Sequence, residues 1–461
     1  MKKKILNILV FIGLVLIAIL KSYRYRVLYS LDEVWAYGFG YNISVGLIPY
    51  RDFNMVIGPI FPYFLAIILT VFGKKLIVYH IVLALMVASI TYLASKKIKV
   101  YSILIFLAML IYSSNGYNTS TLLLLFILLK ILDIEENVSK EQALNKKFNT
   151  GDILIPIIIS VMALTKQTLG ILVIPSLIYS KNKNKTIATY LVIFLVFLSY
   201  LILNNNLIEF LDYCIFGLFD FASKNTLIKP IYLLLEIVII VILSFNLIKS
   251  KFKRKDIFYV LLYQVIVLPI VELNHFVLGY SAFIYILFQD KKIDDYIKKS
   301  LFIALIIIEI YLMFISNTLF AIRDREYFEY YPRDTYLKGR LVSNIMDEYV
   351  EDVGYYINKY SDYKPYIFNN YSYFIKLNSN IPINKFDLIN TGNMGYNGEK
   401  RYIEEIKDIC SNDKCLFIIN ENDLNNLEYS QVSKKILEYV VNNNIKVYSS
   451  NIFSVFIGGE L

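Results

Sequence analysis

Cysteine, histidine and tryptophan are nearly absent from this chain: three, two and one among 461 residues. No CxxC pair and no HExxH run occurs, so no familiar zinc spacing is supported. Charge is scarce too, at 18% Asp, Glu, Lys and Arg against 57% apolar residues, where an average soluble domain carries about 25% charged. No solenoid-length repeat is visible. No GxGxxG follows a strand; the glycine-rich Thr391–Lys400 lacks that spacing and reads as a turn rather than a phosphate cradle.

What the chain has instead is apolar runs: Ile5–Leu20, Ile57–Phe72, Leu76–Ala94, Val100–Tyr112, Thr121–Leu132, Ile153–Leu164, Leu169–Tyr179, Ile187–Leu203, Ile231–Leu247, Ile257–Val271, Phe276–Phe288 and Leu301–Ile315. Crossing a bilayer takes roughly 20 predominantly apolar residues. Several runs reach that, and the shorter ones fit spans buried among neighbours or re-entrant pieces. The expected fold class is a polytopic α-helical membrane protein with about 11–13 spans. The net charge of +9 gathers in short loops rather than in a nucleic-acid-binding face. Lys2, Lys3 and Lys4 precede the first run; Lys181, Lys183 and Lys185, then Lys251, Lys253, Arg254 and Lys255, then Lys291, Lys292, Lys298 and Lys299 follow later ones. Such loops mark the cytoplasmic side. The first run resembles a signal peptide, but KSYRYR after it offers no small-residue cleavage site, so it reads as an uncleaved anchor.

With the amino terminus inside, the first loop (22–56) falls outside, and so does everything beyond Asn317. Between Val56 and Leu132 the candidate spans give the wrong parity, so one segment there does not cross. Ile57–Phe72 and the pair around Asn115–Thr119 are the suspects. Two domains are expected: a membrane domain over 1–318 and an extracytoplasmic α/β domain over 319–461. In the latter, helical patterns (Leu341–Tyr360, Lys400–Cys410, Gln431–Asn442) alternate with strand-like runs (Tyr366–Asn369, Cys415–Ile419, Ile445–Tyr448, Ile452–Ile457). Cys410 and Cys415 could close a small disulfide there if the compartment is oxidising.

A loop that merely joins two membrane helices needs no cluster of charge, yet the first one reads LDEVWAYGFGYNISVGLIPYRDF. Asp32 and Glu33 stand at one end and Arg51 and Asp52 at the other, with tyrosines and glycines suited to a folded loop between. An acidic pair, then G-x-x-P-Y-x-D-F, then G-P at the start of the next span resembles the lipid-dependent GT-C glycosyltransferases. That superfamily includes protein O-mannosyltransferases and the lipid A aminoarabinose transferase. MALTKQTLG, Met162–Gly170, resembles their mid-chain L-T-K element, and VELNHFVLG, Val271–Gly279, their late H-Y element, with Phe276 in place of tyrosine. The match covers the first loop best and the layout of spans more loosely. Ile57–Pro59 departs from relatives that carry an acidic-lysine pair, so a donor contact there is missing or comes from elsewhere, Arg51 being a candidate.

The resemblance implies a glycosyltransferase that moves a hexosyl or pentosyl group from a polyprenyl-phosphate carrier to a glycan, lipid or protein outside the cytoplasm. Asp32 would be the general base and Glu33 its tuning neighbour. Lys166, His275, Arg51 and Asp52 would line the substrate site. No cofactor is certain, although a divalent cation could assist. The chemistry asks for a carboxylate to take the acceptor proton and for cations preorganised toward the departing phosphate. Single-step displacement would invert the anomeric centre. Residue by residue, plainer readings stand beside these. A lysine between apolar runs can simply snorkel to an interface, and His275 is evenly balanced between site and packing. His80, within an apolar run, reads as a packed, hydrogen-bonded histidine. Glu236 and Glu309 are intramembrane acids that read as bundle-packing groups without an obvious partner. A lipid-linked glycan flippase, or a polysaccharide polymerase or ligase, is the alternative from another class. A flippase predicts internal symmetry, which is not visible, and a polymerase or ligase would rest on a large late external loop.

Overall fold

The computed structural model describes residues 2–24, 31–112, 116–137, 150–167, 183–217, 230–249, 273–290, 293–315, 328–330, 341–368, 372–378, 381, 389, 394–396, 398–427 and 432–458. The apolar runs Leu169–Tyr179 and Ile257–Val271, and the basic loop Lys251–Lys255, lie outside those residues. The other runs are helical. In chain order come α1 (Lys2–Arg24), α2 (Leu31–Ser44), α3 (Ile60–Phe72), α4 (Leu76–Ile98), α5 (Ser102–Tyr112) and α6 (Gly116–Asn137). Helices Thr150–Ala163, Lys183–Leu203, Pro230–Lys249, Leu273–Gln289 and Asp295–Ile315 follow. Two stretches, Leu76–Leu110 and Lys183–Leu203, are long and apolar enough to cross a membrane by length and composition.

The helices share an inner core. α4 packs against α1, α5 and α6; α5 packs on helices Leu273–Gln289 and Asp295–Ile315, and helix Thr150–Ala163 lies against α6 and Lys183–Leu203. Val87, Ile90, Leu104, Phe126, Ile159 and Tyr285 are buried where they meet. Outward, large apolar side chains stand exposed, among them Leu6, Val71, Val196 and Ile303.

A second apolar cluster caps one end of this bundle and brings α2, the 45–59 segment, α3 and the start of α4 together with Phe197, Leu201, Tyr213 and Tyr373. Here the structure departs from expectation, because the stretch from Leu31 to Ser44 is a helix and not an irregular loop. Its glycines serve packing rather than turning. A methyl added at Gly40 would lie 2.7 Å from two side-chain carbons of Leu65 on α3, and one at Gly38 would lie 2.8 Å from the Tyr373 ring. Helix propensity disfavours glycine by about 1 kcal/mol per residue, and the close approach of neighbours offsets it.

The C-terminal region is a small three-layer α/β unit. Strands β1 (Phe328–Tyr330) and β2 (Leu341–Ser343) form an antiparallel pair. Strands β3 (Lys364–Phe368), β4 (Cys415–Asn420), β5 (Ile445–Ser449) and β6 (Phe453–Gly458) form a sheet in the order β3-β4-β6-β5. β3 and β4 run parallel, with Tyr366 opposite Phe417; β4 and β6 run antiparallel, with Phe417 opposite Phe456. Side chains alternate between faces. Tyr366, Phe417 and Ile419 pack on helices Gly398–Asn412 and Lys434–Asn443. Ile367, Leu416, Ile418 and Val455 face helix Asn344–Lys359. Cys410 and Cys415 form a disulfide between helix Gly398–Asn412 and β4.

Candidate active site

Asp32 and Glu33 occupy the first turn of α2, where carboxylates meet the positive end of the peptide dipoles. Glu33 is buried, and its Oε1 lies 2.6 Å from Nε2 of the equally buried His80 on α4. The histidine is therefore packed and hydrogen-bonded, and its partner is Glu33 of the acidic pair. Asp32 is half-buried. Tyr79, beside His80, lies within electrostatic reach of both carboxylates, and its hydroxyl accepts the Gly116 N–H at 3.1 Å.

Gly116 opens α6, and two residues later the helix reaches Lys166. Asn118 Oδ1 accepts a hydrogen bond from Lys166 Nζ at 2.7 Å. The same ammonium lies 5.9 Å from the centroid of the Tyr117 ring. The first turn of α6 is thus a bridge, with Tyr79 and the Glu33–His80 pair on one side and Lys166 on the other.

The Lys166 turn is held from behind by the segment around Gly58. Ile60 donates its N–H to Leu164 O at 3.1 Å. A Cβ at Gly58 would sit 2.1 Å from that same carbonyl oxygen, so glycine is required for the two backbones to touch. Gln167 donates from Nε2 to Val56 O at 2.7 Å and to Cys214 O at 3.1 Å. Asn206, fully buried, donates to Pro49 O at 2.9 Å. The Tyr50 hydroxyl donates to Ile57 O at 2.8 Å.

Arg51 and Asp52 engage each other. Arg51 donates from Nε to Asp52 Oδ1 at 2.8 Å and from Nη2 to Oδ2 at 3.0 Å. Asp52 Oδ2 also accepts the Ile48 N–H at 2.7 Å. The Arg51 hydrogen bond, aided by Ile48 and opposed by partial burial, holds the Asp52 carboxyl below the usual carboxylate range. Among the described residues, Arg51 makes its side-chain hydrogen bonds to Asp52, so the pair ties its own turn. His275 falls in the first turn of helix Leu273–Gln289; its side chain lies outside the described ones. Glu236 and Glu309 are both buried.

No family model matches the chain and no curated protein matches it by sequence. Solved structures do match. ArnT from Cupriavidus metallidurans bound to undecaprenyl phosphate superposes with a TM-score of 0.57 at 10% identity, over 98% of this chain and 97% of that one. ArnT is a lipid A aminoarabinose transferase of the GT-C class. The chain shares the fold of this ArnT. The apo state of the same ArnT agrees, at a TM-score of 0.52 and 9% identity over the same shares of both chains. At such identity the likeness concerns the fold.

Within this fold, the structure brings Asp32, Glu33 and Lys166 to one end of the helical bundle. It adds residues that the sequence did not single out: Tyr79, Asn118, Tyr117 and Gln167. One signal was available for Asn118. Asn118, Thr119, Ser120 and Thr121, all buried, form a polar run at the mouth of an apolar segment, where polar groups are costly. Among the described residues, no group of three or more His, Cys, Asp or Glu gathers as a metal cluster would. The open groove of about 480 Å³ on helix Lys183–Leu203, lined by Val192, Leu195, Val196 and Leu203 with Ser199, Tyr200 and Asn204, carries no charged side chain. It offers no chemistry of its own.

Proposed function

We propose that this protein is a polytopic membrane glycosyltransferase that transfers a sugar from a polyprenyl-phosphate carrier to an acceptor outside the cytoplasm. The observation that carries the reading is that two elements converge on the first turn of α6, in a chain with the fold of ArnT. The start of α2 does so through the Glu33–His80 pair beside Tyr79, and Lys166 through Asn118. In the reaction, an acceptor hydroxyl attacks the anomeric carbon as the bond from that carbon to the phosphate oxygen breaks. Asp32 accepts the hydroxyl proton. Lys166 stabilises the charge gathering on the departing polyprenyl phosphate, with Asn118 and Tyr117 fixing its ammonium. His275 and Arg51 are further candidates to meet the donor. Displacement in one step inverts the anomeric centre. Glu33 is engaged with His80, so its part is to anchor the helix that carries Asp32.

The contacts of α2 support a topology that closes. Glu33 at the start of α2 meets His80 near the start of α4, and Tyr37 of α2 donates to Lys74 O just past the end of α3. The chain that leaves α2 through α3 thus comes back to where α2 began. If α2 and α3 form a hairpin that returns to the outer face, α4 runs inward and ends at Lys96, Lys97 and Lys99, as basic inner loops require. α5 then runs outward, α6 inward and helix Thr150–Ala163 outward to Lys166. The remaining runs alternate to an external tail, with roughly eleven crossings in all. On this topology α3 is the segment that does not cross, and residues 319–461 lie outside.

The test is chemical. Lipids from cells lacking the protein, and from cells carrying Asp32→Asn, are examined by mass spectrometry for polyprenyl-phosphate sugars. The same species should build up in both strains, and its mass names the sugar class. If neither strain differs from wild type, the donor assignment fails and the flippase and polymerase readings move ahead.

A further inference from the structure

We propose that the C-terminal α/β domain is a positioning part of the active site, holding the Asp32 helix through Tyr373 and the Lys166 turn through Arg401. This rests on the glycosyltransferase reading for its functional consequence, although the mechanical coupling stands on geometry alone.

The first contact is direct. Tyr373, in helix Ser372–Asn378 of the C-terminal domain, is 1% exposed and belongs to the same apolar cluster as Val34, Trp35 and Phe39 of α2. Its ring is seated on Gly38, where a methyl would come within 2.8 Å of two ring carbons. One turn on, Asn42 Nδ2 donates to the Tyr373 hydroxyl at 3.4 Å. A residue more than three hundred positions away in sequence is thus pressed onto the helix that begins with Asp32 and Glu33.

The second contact runs through a relay. Arg401 donates from Nη1 to Asp212 Oδ2 at 2.6 Å. Its Nη2 donates to the Tyr213 hydroxyl at 3.1 Å and to Met394 O at 2.9 Å. Burial works against the Arg401 charge, but Tyr213, Tyr402 and the Asp212 carboxylate outweigh it and hold the guanidinium firmly protonated. The glycine-rich stretch around Gly395 explains itself here. Gly395 has φ +79°, and a Cβ on it would lie 2.3 Å from Asp212 Oδ2. Tyr396 N–H donates to Asp212 Oδ1 at 2.9 Å. The stretch is a turn, and its shape lets the backbone grip one carboxylate.

Asp212 opens a single π-helical turn, Asp212–Phe216, a geometry that recurs at functional positions. From that turn, Cys214 reaches the site segment. Its thiol donates to Met55 O at 3.4 Å, and its carbonyl accepts from Gln167, the neighbour of Lys166, at 3.1 Å. Phe210, just before it, stacks edge-on to Tyr50 at 5.2 Å. The domain therefore grips both chemical elements of the site, the carboxylate helix from one side and the lysine turn from the other. Neither Tyr373 nor Arg401 touches a reacting group; they are positioning residues.

Trp35 supplies a readout independent of turnover. It is the chain's single tryptophan, buried on α2 three residues after Asp32. Full-length wild-type protein, Arg401→Gln, Tyr373→Leu and the charge-swapped Arg401→Asp/Asp212→Arg pair are purified in nanodiscs and checked for monodispersity. Acrylamide quenching and the emission maximum of Trp35 are then measured. Arg401→Gln and Tyr373→Leu should raise quenching and shift emission to longer wavelength, and the charge swap should restore part of the native signal. Lys364→Gln, which cuts the Lys364–Asp413 pair inside the domain, should change neither. In cells, consumption of the polyprenyl-phosphate sugar should fall about tenfold or more in the first two, as small misplacements of catalytic groups do. Native Trp35 quenching in both variants would overturn the proposal. Altered quenching in a protein whose wild type consumes no polyprenyl-phosphate sugar would overturn the functional reading and leave the coupling standing.

Discussion

Cutting the Glu33–His80 pair from one side should cost far more than removing it whole. Both side chains are 3% exposed and their oxygen and nitrogen stand 2.6 Å apart. As an ion pair at an effective dielectric of 20, the gross attraction is about 6 kcal/mol, most of it offset by the cost of taking two charges out of water. His80→Leu leaves the carboxylate buried without its imidazole, and breaking one side of such a pair costs about 3–5 kcal/mol. Glu33→Leu strands the imidazole instead, at about 1–3 kcal/mol. The double replacement leaves an apolar contact between α2 and α4 and should be far milder than the sum of the singles, since apolar substitutes for buried pairs are often neutral. Unfolding of the four proteins in nanodiscs, followed by Trp35 emission, reads the coupling. The double variant should nonetheless consume donor about ten- to a hundredfold more slowly, because the first turn of α2 has lost the bond that fixes Asp32. Additive losses in the two singles and the double would refute the pairing. A double variant of native activity would refute its role.

Other outcomes follow from the same geometry. Gly58→Ala should destabilise the protein by about 1–3 kcal/mol and depress activity, because the new methyl meets the Leu164 carbonyl rather than a movable side chain; a native unfolding midpoint would contradict that contact. Lys166→Gln should abolish donor consumption while Lys166→Arg keeps a residue of it, measured by the lipid species that accumulates; equal activity in both would remove Lys166 from phosphate contact. Sidedness is accessible through thiols. Cys410 and Cys415 should react with a maleimide reagent only after reduction, and Lys74→Cys should label from outside whole cells where Lys99→Cys does not.

The sequence carried the helices because burying and covering apolar surface is a local, periodic matter. Leu76–Ala94 and Ile187–Leu203 announce themselves, and the short apolar run Cys415–Ile419 announces a strand. It misled over Leu31–Ser44, where glycines and tyrosines suggested a loop. Gly38 and Gly40 are there for Tyr373 and Leu65 to approach, a reason that exists only once distant segments have packed. Lys166 stood out through resemblance, but its anchor Asn118 is 48 residues away, and His80 is 47 from Glu33. Such pairings follow no period, so nothing local marks them. The basic loops suggested sides of the membrane, yet nothing in the stretch from Val56 to Leu132 announces that the start of α4 returns to the start of α2, where His80 meets Glu33.

That return of the chain bears on the placement of the proposed chemistry. A span that crossed fully would carry its far end to the opposite face, and α4 could not then begin where His80 meets Glu33. A hairpin that turns back keeps the start of α4 beside the start of α2, and one pair of side chains then fixes the carboxylates. The same step sets α6 to begin on that face, so Asn118 can reach Lys166 at the end of helix Thr150–Ala163. Asp32 and Lys166 thus stand at helix ends rather than in helix middles, and on the proposed reading Asp32 would meet an acceptor hydroxyl there and Lys166 a phosphate. Helix ends fray and shift more readily than helix middles, so a site built from them needs bracing from outside the bundle. The contacts of Tyr373 with Gly38 and of Arg401 with Asp212 supply that bracing.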